Sequence, residues 1–147
     1  MEIRAAEYRD IPDMIQLLKQ LFEIEVDFNF SPDKHRAGLS AIIQDNNCGA
    51  FVAENDNKNI VGMCMAQWVI STATGQKSAW MEDLIVTHEY RGKGIGNQLI
   101  ESIQTWAIAQ GCNRIQLVYD LANQPAITFY EKAKFNHTQL GVFSKPL

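Results

Sequence analysis

The sequence predicts an α/β (α+β) domain with one mixed, mostly antiparallel central sheet of six to seven strands flanked by about four helices. Two amphipathic helical segments precede a strand hairpin. The second half alternates strands with helices, which indicates parallel pairing there. Of the 147 residues, 46% are hydrophobic, which is enough for one buried core. We therefore expect a single domain over residues 1–147.

The first elements are a short strand and two helices. The strand is predicted at Ile3–Ala5, and Asp10 is placed to cap a helix whose first turn holds Pro12. A second helix begins at Ser31–Pro32 by the same rules. The apolar residues of the first helix recur at helical spacing, at Ile11, Met14, Ile15, Leu18, Leu21 and Phe22.

The middle of the chain reads as three strands. Ala50–Glu54 and Ile60–Ile70 form a predicted hairpin around the turn residues Asn55–Lys58. A polar loop over Ser71–Lys77 then leads into a strand at Ser78–Val86.

The last third alternates helix and strand. A helix is predicted from about Gly94 to Gln110, with Gly111 as its stop. A strand at Ile115–Tyr119 and a short helix at Ala126–Ala133 follow, and we expect one or two last strands in the tail, Asn136–Leu147.

Charge and cysteine content exclude several classes of protein. The formal net charge of -4 argues against a nucleic-acid partner. The cysteines, Cys48, Cys64 and Cys112, are odd in number and widely spaced, so we expect no disulfide or zinc site and assign no metal. Free thiols fit a cytoplasmic location. The N-terminus lacks the apolar core of a signal peptide, and no apolar run is long enough to span a membrane.

A glycine loop between a strand and a helix is the most specific chemical signal. Its glycines alternate, at Gly92, Gly94 and Gly96, where the helix starts. Bare backbone N–H groups at a helix N-terminus favour phosphate, and Arg91 and Lys93 add positive charge. The spacing fits neither a P-loop nor the dinucleotide-binding fingerprint.

Two segments resemble the GNAT superfamily of acetyl-CoA-dependent N-acetyltransferases. The first is Arg-Gly-Lys-Gly-Ile-Gly at 91–96, after a strand that ends Glu-Asp-Leu-Ile-Val. The second is Asn123, followed by the Phe129–Tyr130 pair and Phe135. The family usually has a glycine before this phenylalanine, where this chain has Lys134, a difference that concerns a turn. The resemblance implies a GNAT-like acyl-CoA N-acyltransferase fold.

The resemblance also implies how acetyl-CoA binds. The backbone of the strand before the loop would pair with the pantetheine arm, at a point where the strand splays from its neighbour. The loop amides would hold the pyrophosphate, and Asn123 would bond near the pantetheine. The implied acetyl-CoA residues are Leu84, Ile85, Val86, Arg91, Gly92, Lys93, Gly94, Ile95, Gly96, Asn97, Asn123 and Tyr130.

Acetyl transfer to an amine needs proton movement. An alkyl amine with a pKa of about 10.4 is neutral in only about one molecule in 2,500 at pH 7, so a base is useful. By resemblance Tyr130 lies beside the thioester sulfur and acts as acid; the alternative is a core tyrosine. Glu82 is the candidate base, directly or through a water. Strand alternation places Glu82 and Asp83 on opposite faces, and either acid could instead make a structural ion pair or cap a loop.

The acceptor site is expected at the first two helices and the loop between them. Its candidate residues are Phe22, Glu25, Phe28 and Asp83. Acids and aromatic rings together suit a cationic amine through charge and cation–π contacts. The alternative is that the aromatic residues belong to the core and the acids face water.

These features predict an N-acetyltransferase that moves the acetyl group of acetyl-CoA to a primary amine of a small molecule, by direct attack in a ternary complex. The alternatives are a non-catalytic acyl-CoA-binding sensor and a protein N-acetyltransferase. We expect no nucleic-acid or membrane partner. A homodimer is a further expectation, because many relatives pair through sheet edges or terminal strands.

Overall fold

The computed structural model describes residues 1–25 and 27–147 and contains one five-stranded mixed sheet with strand order β1-β2-β3-β4-β5. The first three pairings are antiparallel, and β4 pairs with β5 in parallel. Val26, inside the predicted acceptor wall, lies outside the described residues. The strands are β1 Glu2–Ala5, β2 Cys48–Glu54, β3 Ile60–Ser71, β4 Gln76–Val86 and β5 Cys112–Gln116.

Four α-helices flank this sheet among the described residues. They are α1 Ile11–Ile24, α2 Pro32–Gln44, α3 Ile95–Ala109 and α4 Gln124–Lys132. Single 3₁₀ turns at Tyr8–Asp10 and His88–Tyr90 precede α1 and the glycine loop. Within the described part of the chain, no helix has the length and apolar character needed to cross a bilayer.

The predicted count of six to seven strands is wrong, because the described residues form five. The tail at Asn136–Leu147 holds no strand, and 87% of the surface of Leu140 is exposed. A strand forms when pairing and burial offset the entropy of ordering the chain. In a single copy the tail has neither a pairing strand nor burial, so it does not form a strand.

Two strand boundaries also differ from the prediction. The expected loop at Ser71–Lys77 is shorter, since β3 runs to Ser71 and β4 starts at Gln76. The strand predicted at Ile115–Tyr119 lies earlier, at Cys112–Gln116, because its parallel pairing with β4 ends at Gln116.

Asp10 links β1, α1 and β2 and does not cap α1 by a side-chain hydrogen bond. Its carboxylate accepts hydrogen bonds from Arg4 Nη1 and Nη2, at 2.7 and 2.8 Å, and from the backbone N–H of Glu7 at 2.8 Å. Arg4 also donates to the buried Glu54 at 2.6 Å. The short first strand is thereby tied to the start of α1.

Each face of the sheet carries its own apolar cluster. Helices α1 and α2 cover one face, and α3 covers the other. The first cluster includes Met14, Leu18, Leu39, Met63 and Met65. The second includes Cys64, Met81, Leu99 and Ile103, with Phe129 and Tyr130 of α4 packed against it.

Candidate active site

Strands β4 and β5 separate halfway along β4. Their register runs from Lys77 opposite Cys112 to Trp80 opposite Gln116. Beyond Trp80, residues 81–86 have no strand partner on this side among the described residues. An open strand edge presents N–H and C=O groups that an extended ligand can pair with. The slot implied by the family resemblance is therefore present in this chain.

A β-bulge lies in β4 at the start of this slot. Two residues of β4, Asp83 and Leu84, lie opposite the single residue Cys64 of β3, and Asp83 has a φ of 54°. Left-handed backbone is costly for most residues and least so for Gly, Asn and Asp. The pairs that flank the bulge are Met65 with Glu82 and Met63 with Ile85.

The bulge makes the predicted alternation of β4 wrong from Asp83 onward. Leu84 and Val86 pack in the same cluster as Met81, on the α3 face, whereas Ile85 packs on the α1 face. An extra residue in one strand shifts every later side chain to the other face.

The glycine loop has the backbone geometry of an anion site. Gly92 and Gly94 have φ angles of 74° and 80°, in the left-handed region. Helix α3 has no side-chain N-cap hydrogen bond, and its first helical bond runs from Gln98 N–H to Gly94 C=O. The N–H groups of residues 95–97 therefore lack intrahelical acceptors, and the helix dipole favours negative charge there.

Gly96 allows α3 and α4 to approach each other closely. A Cβ atom added to Gly96 would lie 3.0 Å from Cζ of Phe129. The third glycine of the loop therefore serves the contact with Phe129, and α4 thereby forms one side of the cavity.

The two cations of the loop have different positions. The Nε atom of Arg91 donates to the C=O of Val86 at 2.8 Å, which holds the loop against the end of β4. The Nζ atom of Lys93 lies 4.8 Å from the ring centroid of Tyr90, in a cation–π contact. Arg91 lines the cavity described next, and Lys93 does not.

A cavity of about 690 Å³ lies between the end of β4, the glycine loop and α4. All of the predicted acetyl-CoA residues except Lys93 line it. Residues from α1, from α4 and from the 3₁₀ turn before the loop complete the wall. Sequence reasoning did not assign them to the site, and those from α1 arrive by tertiary packing. Phe129 had a visible signal, since it precedes Tyr130 in the motif. The added residues are Leu21, Ile24, Tyr90, Pro125, Ala126 and Phe129.

Tyr130 lines this cavity from α4. Its ring packs edge-on against Phe129 and Phe135, with centroids 5.4 and 5.7 Å away. Burial raises the pKa of its hydroxyl above the ordinary value, and the nearby Cys64 and Glu25 act in the same direction. The hydroxyl therefore keeps its proton at neutral pH and can donate it.

Asn123 lines the cavity and also caps α4. Its Oδ1 atom accepts a hydrogen bond from the backbone N–H of Ala126 at 3.1 Å. This bond fixes the side chain, whose amide group can serve as a donor to a ligand.

The two neighbouring acids of β4 lie in different environments. Glu82 is exposed, accepts a hydrogen bond from Trp80 Nε1 at 3.2 Å and does not line the cavity. Asp83 is half-buried. Burial, together with the charges of Glu82 and Glu25, raises the pKa of Asp83 to about 7.

Glu25 brings a third carboxyl to the same region. It follows the last residue of α1 and is half-buried. Its pKa is raised by burial and then by the charges of Asp120, Asp27 and Glu82. Carboxyls from α1, β4 and the segment before α4 therefore lie close enough to repel one another.

The predicted aromatic wall divides into a packed and an exposed part. Phe22 is half-buried against the α1 core cluster, 5.1 Å from the His35 ring and 5.7 Å from the Phe28 ring. Phe28 is 60% exposed. Phe22 thus fits the core alternative, whereas Phe28 is accessible to a ligand.

No group of three or more His, Cys, Asp or Glu side chains is arranged to hold a metal ion in residues 1–25 and 27–147.

The chain matches the family model described as "Acetyltransferase (GNAT) family" over residues 12–135. It is 31% identical over 78 residues to the thialysine N-epsilon-acetyltransferase of Mus musculus, covering 53% of this chain and 45% of that protein. It is also 31% identical over 140 residues to the spermidine/spermine N(1)-acetyltransferase-like protein 1 of Homo sapiens, covering 88% of this chain and 19% of that protein. The chain thus spans less than two thirds of the length of these relatives.

Among solved structures, a transcriptional regulator from Bacillus halodurans C-125 superposes with a TM-score of 0.85 at 28% identity, over 98% of both chains. The family model covers most of the sequence, including both motifs and the residues around the cavity. The chain belongs to the acetyltransferase (GNAT) family.

Proposed function

We propose that residues 1–147 form a single N-acetyltransferase domain that moves the acetyl group of acetyl-CoA to a primary amine by direct attack in a ternary complex. One observation carries this proposal. The open edge of β4, the unpaired amides of the glycine loop and the protonated hydroxyl of Tyr130 meet at one cavity.

Each part of acetyl-CoA has a matching group in this cavity. The N–H groups of residues 95–97 and the guanidinium of Arg91 suit the pyrophosphate. The backbone of Leu84–Val86 suits the amides of the pantetheine arm, since it lies beyond the last pairing with β5. Asn123 adds a side-chain amide at the α4 end.

The chemistry follows from these positions. The amine nitrogen attacks the thioester carbonyl carbon, a C–N bond forms and the C–S bond breaks. Tyr130 gives its proton to the departing sulfur, which is otherwise a thiolate. A carboxyl of β4 takes a proton from the amine, and Glu82 is the candidate base predicted from the sequence, directly or through a water.

We further propose that the acceptor is a small cationic amine. Glu25, Asp83 and Asp120 provide negative charge near the end of β4, and their mutual repulsion falls when a cation binds. The relatives named for thialysine and for spermidine and spermine point to the same class. Phe28 is exposed and can contact the cation.

An acceptor panel tests this function. Release of CoA thiol and the mass of the acetylated product would be measured with spermidine, thialysine, glucosamine 6-phosphate and a peptide with a free N-terminal amine. We expect spermidine and thialysine, which carry net positive charge, to give the highest kcat/KM. Turnover of neutral or anionic acceptors alone would contradict an acceptor site for cations. Turnover of the peptide alone would favour a protein N-acetyltransferase.

A non-catalytic acyl-CoA sensor is the second candidate. The 28% identical structural neighbour described as a transcriptional regulator favours it. A sensor would be stabilised by acetyl-CoA in thermal unfolding but would release no CoA with any amine of the panel.

A homodimer in the cytoplasm completes the proposal. The tail exposes Leu140, Val142 and Phe143 in a single copy, and β5 is an edge strand. Exposed apolar segments and strand edges favour pairing with another chain. The free thiols at Cys48, Cys64 and Cys112 suit a reducing compartment. Light scattering coupled to size exclusion should give twice the chain mass, and the mass of one chain would contradict the dimer.

A further inference from the structure

We propose that Asp83, rather than Glu82, takes the proton from the attacking amine, which enters as an ammonium beside Asp83 and Glu25. This inference rests on the proposed acetyltransferase function and goes beyond it, because it assigns the base and the charge state in which the acceptor binds.

The bulge in β4 is the first observation. Asp83 occupies the extra position opposite Cys64, with left-handed backbone. Cys64 is close enough to sense the charge of Asp83 and to affect Tyr130 in turn. Asp83 and the proposed acid Tyr130 therefore both lie near the same buried thiol.

Glu82 is less suited to the role. Its side chain is exposed, and its carboxylate already accepts a hydrogen bond from the Trp80 indole. An exposed carboxylate that already has a hydrogen-bond donor gains less from a bound ammonium than a half-buried one without a partner.

Asp83 has no cation or hydrogen-bond donor on its carboxyl among residues 1–25 and 27–147. A half-buried carboxyl without a partner is unfavourable, and left-handed backbone has a cost at Asp as well, although a smaller one than at most residues. Asp83 does not itself line the cavity, but the next residue, Leu84, does. Two unfavourable features at a residue next to a ligand cavity are typical of a functional site. An ammonium ion would supply the missing partner.

The charged groups around Asp83 favour proton transfer. They are Glu82 on β4 and Glu25 after α1, with Cys64 on β3 and Tyr130 on α4 as neutral neighbours. Burial and the two carboxylates raise the pKa of Asp83 to about 7. A base with a pKa near the working pH combines a large ionised fraction with a strong pull on the proton.

The proton steps balance. Asp83 accepts one proton from the ammonium, and the neutral nitrogen attacks the carbonyl carbon. As the C–S bond breaks, Tyr130 protonates the sulfur. The second proton leaving the nitrogen restores Tyr130, and Asp83 then releases its proton to water. The products are the acetylated amine, CoA thiol and one proton.

Asp83→Asn and Asp83→Gly test the proposal without disturbing the bulge, because Asn and Gly both tolerate left-handed backbone. With acetyl-CoA and spermidine at pH 7, we expect kcat/KM to fall about 100-fold in both variants. Thermal stabilisation by acetyl-CoA should be unchanged. Asp33→Asn, which removes the same charge from an exposed position in α2, should match wild type.

The pH profile separates a base from a structural acid. Wild-type kcat/KM for spermidine should rise up to about pH 7 and then level, since only ionised Asp83 can accept the proton. In Asp83→Asn it should keep rising about tenfold per pH unit towards the amine pKa of about 10.4, as neutral amine becomes available.

Two results would overturn the assignment. One is an Asp83→Asn enzyme with wild-type kcat/KM and an unchanged profile. The other is that Glu82→Gln, and not Asp83→Asn, loses the rise of kcat/KM that ends near pH 7. If wild type itself releases no CoA with any amine, the proposed function fails instead, so the two failures are distinguishable.

Discussion

Three residues other than glycine have left-handed backbone in the described chain, namely Lys58, Asp83 and Lys134. Lys58 lies in the turn between β2 and β3, and Asp83 forms the bulge. Lys134 lies in the turn after α4, where the N–H of Phe135 donates to the C=O of Tyr130 at 3.0 Å. This is the position at which the family usually has glycine. Lys134 therefore forms the same turn as a glycine would, but with strained left-handed backbone.

Lys134→Gly should therefore stabilise the protein by about 0.5–1 kcal/mol, because the strain relieved, about 1–2 kcal/mol, exceeds the entropy cost of glycine. Urea unfolding measures the change. Lys132→Gly, inside α4, is the matched control and should destabilise. A loss of stability in Lys134→Gly would show that its side chain matters more than its backbone.

Tyr130→Phe should lower kcat about 100-fold, because the departing sulfur loses its proton donor. The ring contacts with Phe129 and Phe135 remain, so acetyl-CoA should still raise the melting temperature as in wild type. CoA release and thermal unfolding measure the two effects. Unchanged turnover would mean that Tyr130 is only a core residue.

At the scale of elements, the glycine loop is the most sharply testable unit. Gly94→Ala should weaken acetyl-CoA binding. The φ of 80° at Gly94, directly before α3, orients the amides of residues 95–97, and alanine disfavours that angle. We expect a cost of about 1–2 kcal/mol, or about tenfold in Kd.

Gly38→Ala is the control for this change. Gly38 lies inside α2 with open space around its Cβ position, so alanine should stabilise the protein and leave Kd for acetyl-CoA unchanged. Isothermal titration measures both variants. Wild-type affinity in Gly94→Ala would contradict the anion site at the start of α3.

The two acids paired with Arg4 of β1, Asp10 before α1 and Glu54 on β2, should give the whole molecule an acid-sensitive stability. The hydrogen bonds from Lys58 and Arg4 hold the pKa of Glu54 down, to about 2. At Asp10 burial alone would raise the pKa. The hydrogen bonds from Arg4 and from the backbone of Glu7 outweigh burial, so the pKa of Asp10 is lowered. An unfolded Glu titrates at about 4.3, so this stabilisation is present above that pH and is lost as the pH falls towards 2.

Urea unfolding at about pH 7, 4 and 2.5 measures this dependence. Glu54→Gln should lower stability at pH 7 and flatten the decline below pH 4, whereas Asp33→Asn should leave the slope unchanged. If the free energy of unfolding falls with pH as steeply in Glu54→Gln as in wild type, the ion pairs of Glu54 do not cause the acid sensitivity.

The donor half of the site could be predicted from the sequence because local rules determine it. Alternating glycines before an amphipathic helix imply free amides, and the order of elements places Asn123 and Tyr130 beside them. The bulge could not be predicted, since strict alternation through Glu82 and Asp83 is the default for a strand. Nor could the approach of Leu21 and Ile24, because it depends on how α1 packs. The tail at Asn136–Leu147, where the sequence predicts one or two strands, finds no strand partner within one copy.

Single-turnover mixing distinguishes direct transfer from transfer through an acetylated enzyme. Excess enzyme would be mixed with acetyl-CoA, with and without spermidine, and the release of CoA thiol followed in time. We predict rapid release only when the amine is present, with one acetylated amine formed for each CoA. Release of CoA from the enzyme without an amine would contradict direct transfer, and acetyl-CoA that binds but releases no CoA with any amine of the panel would contradict the acetyltransferase function.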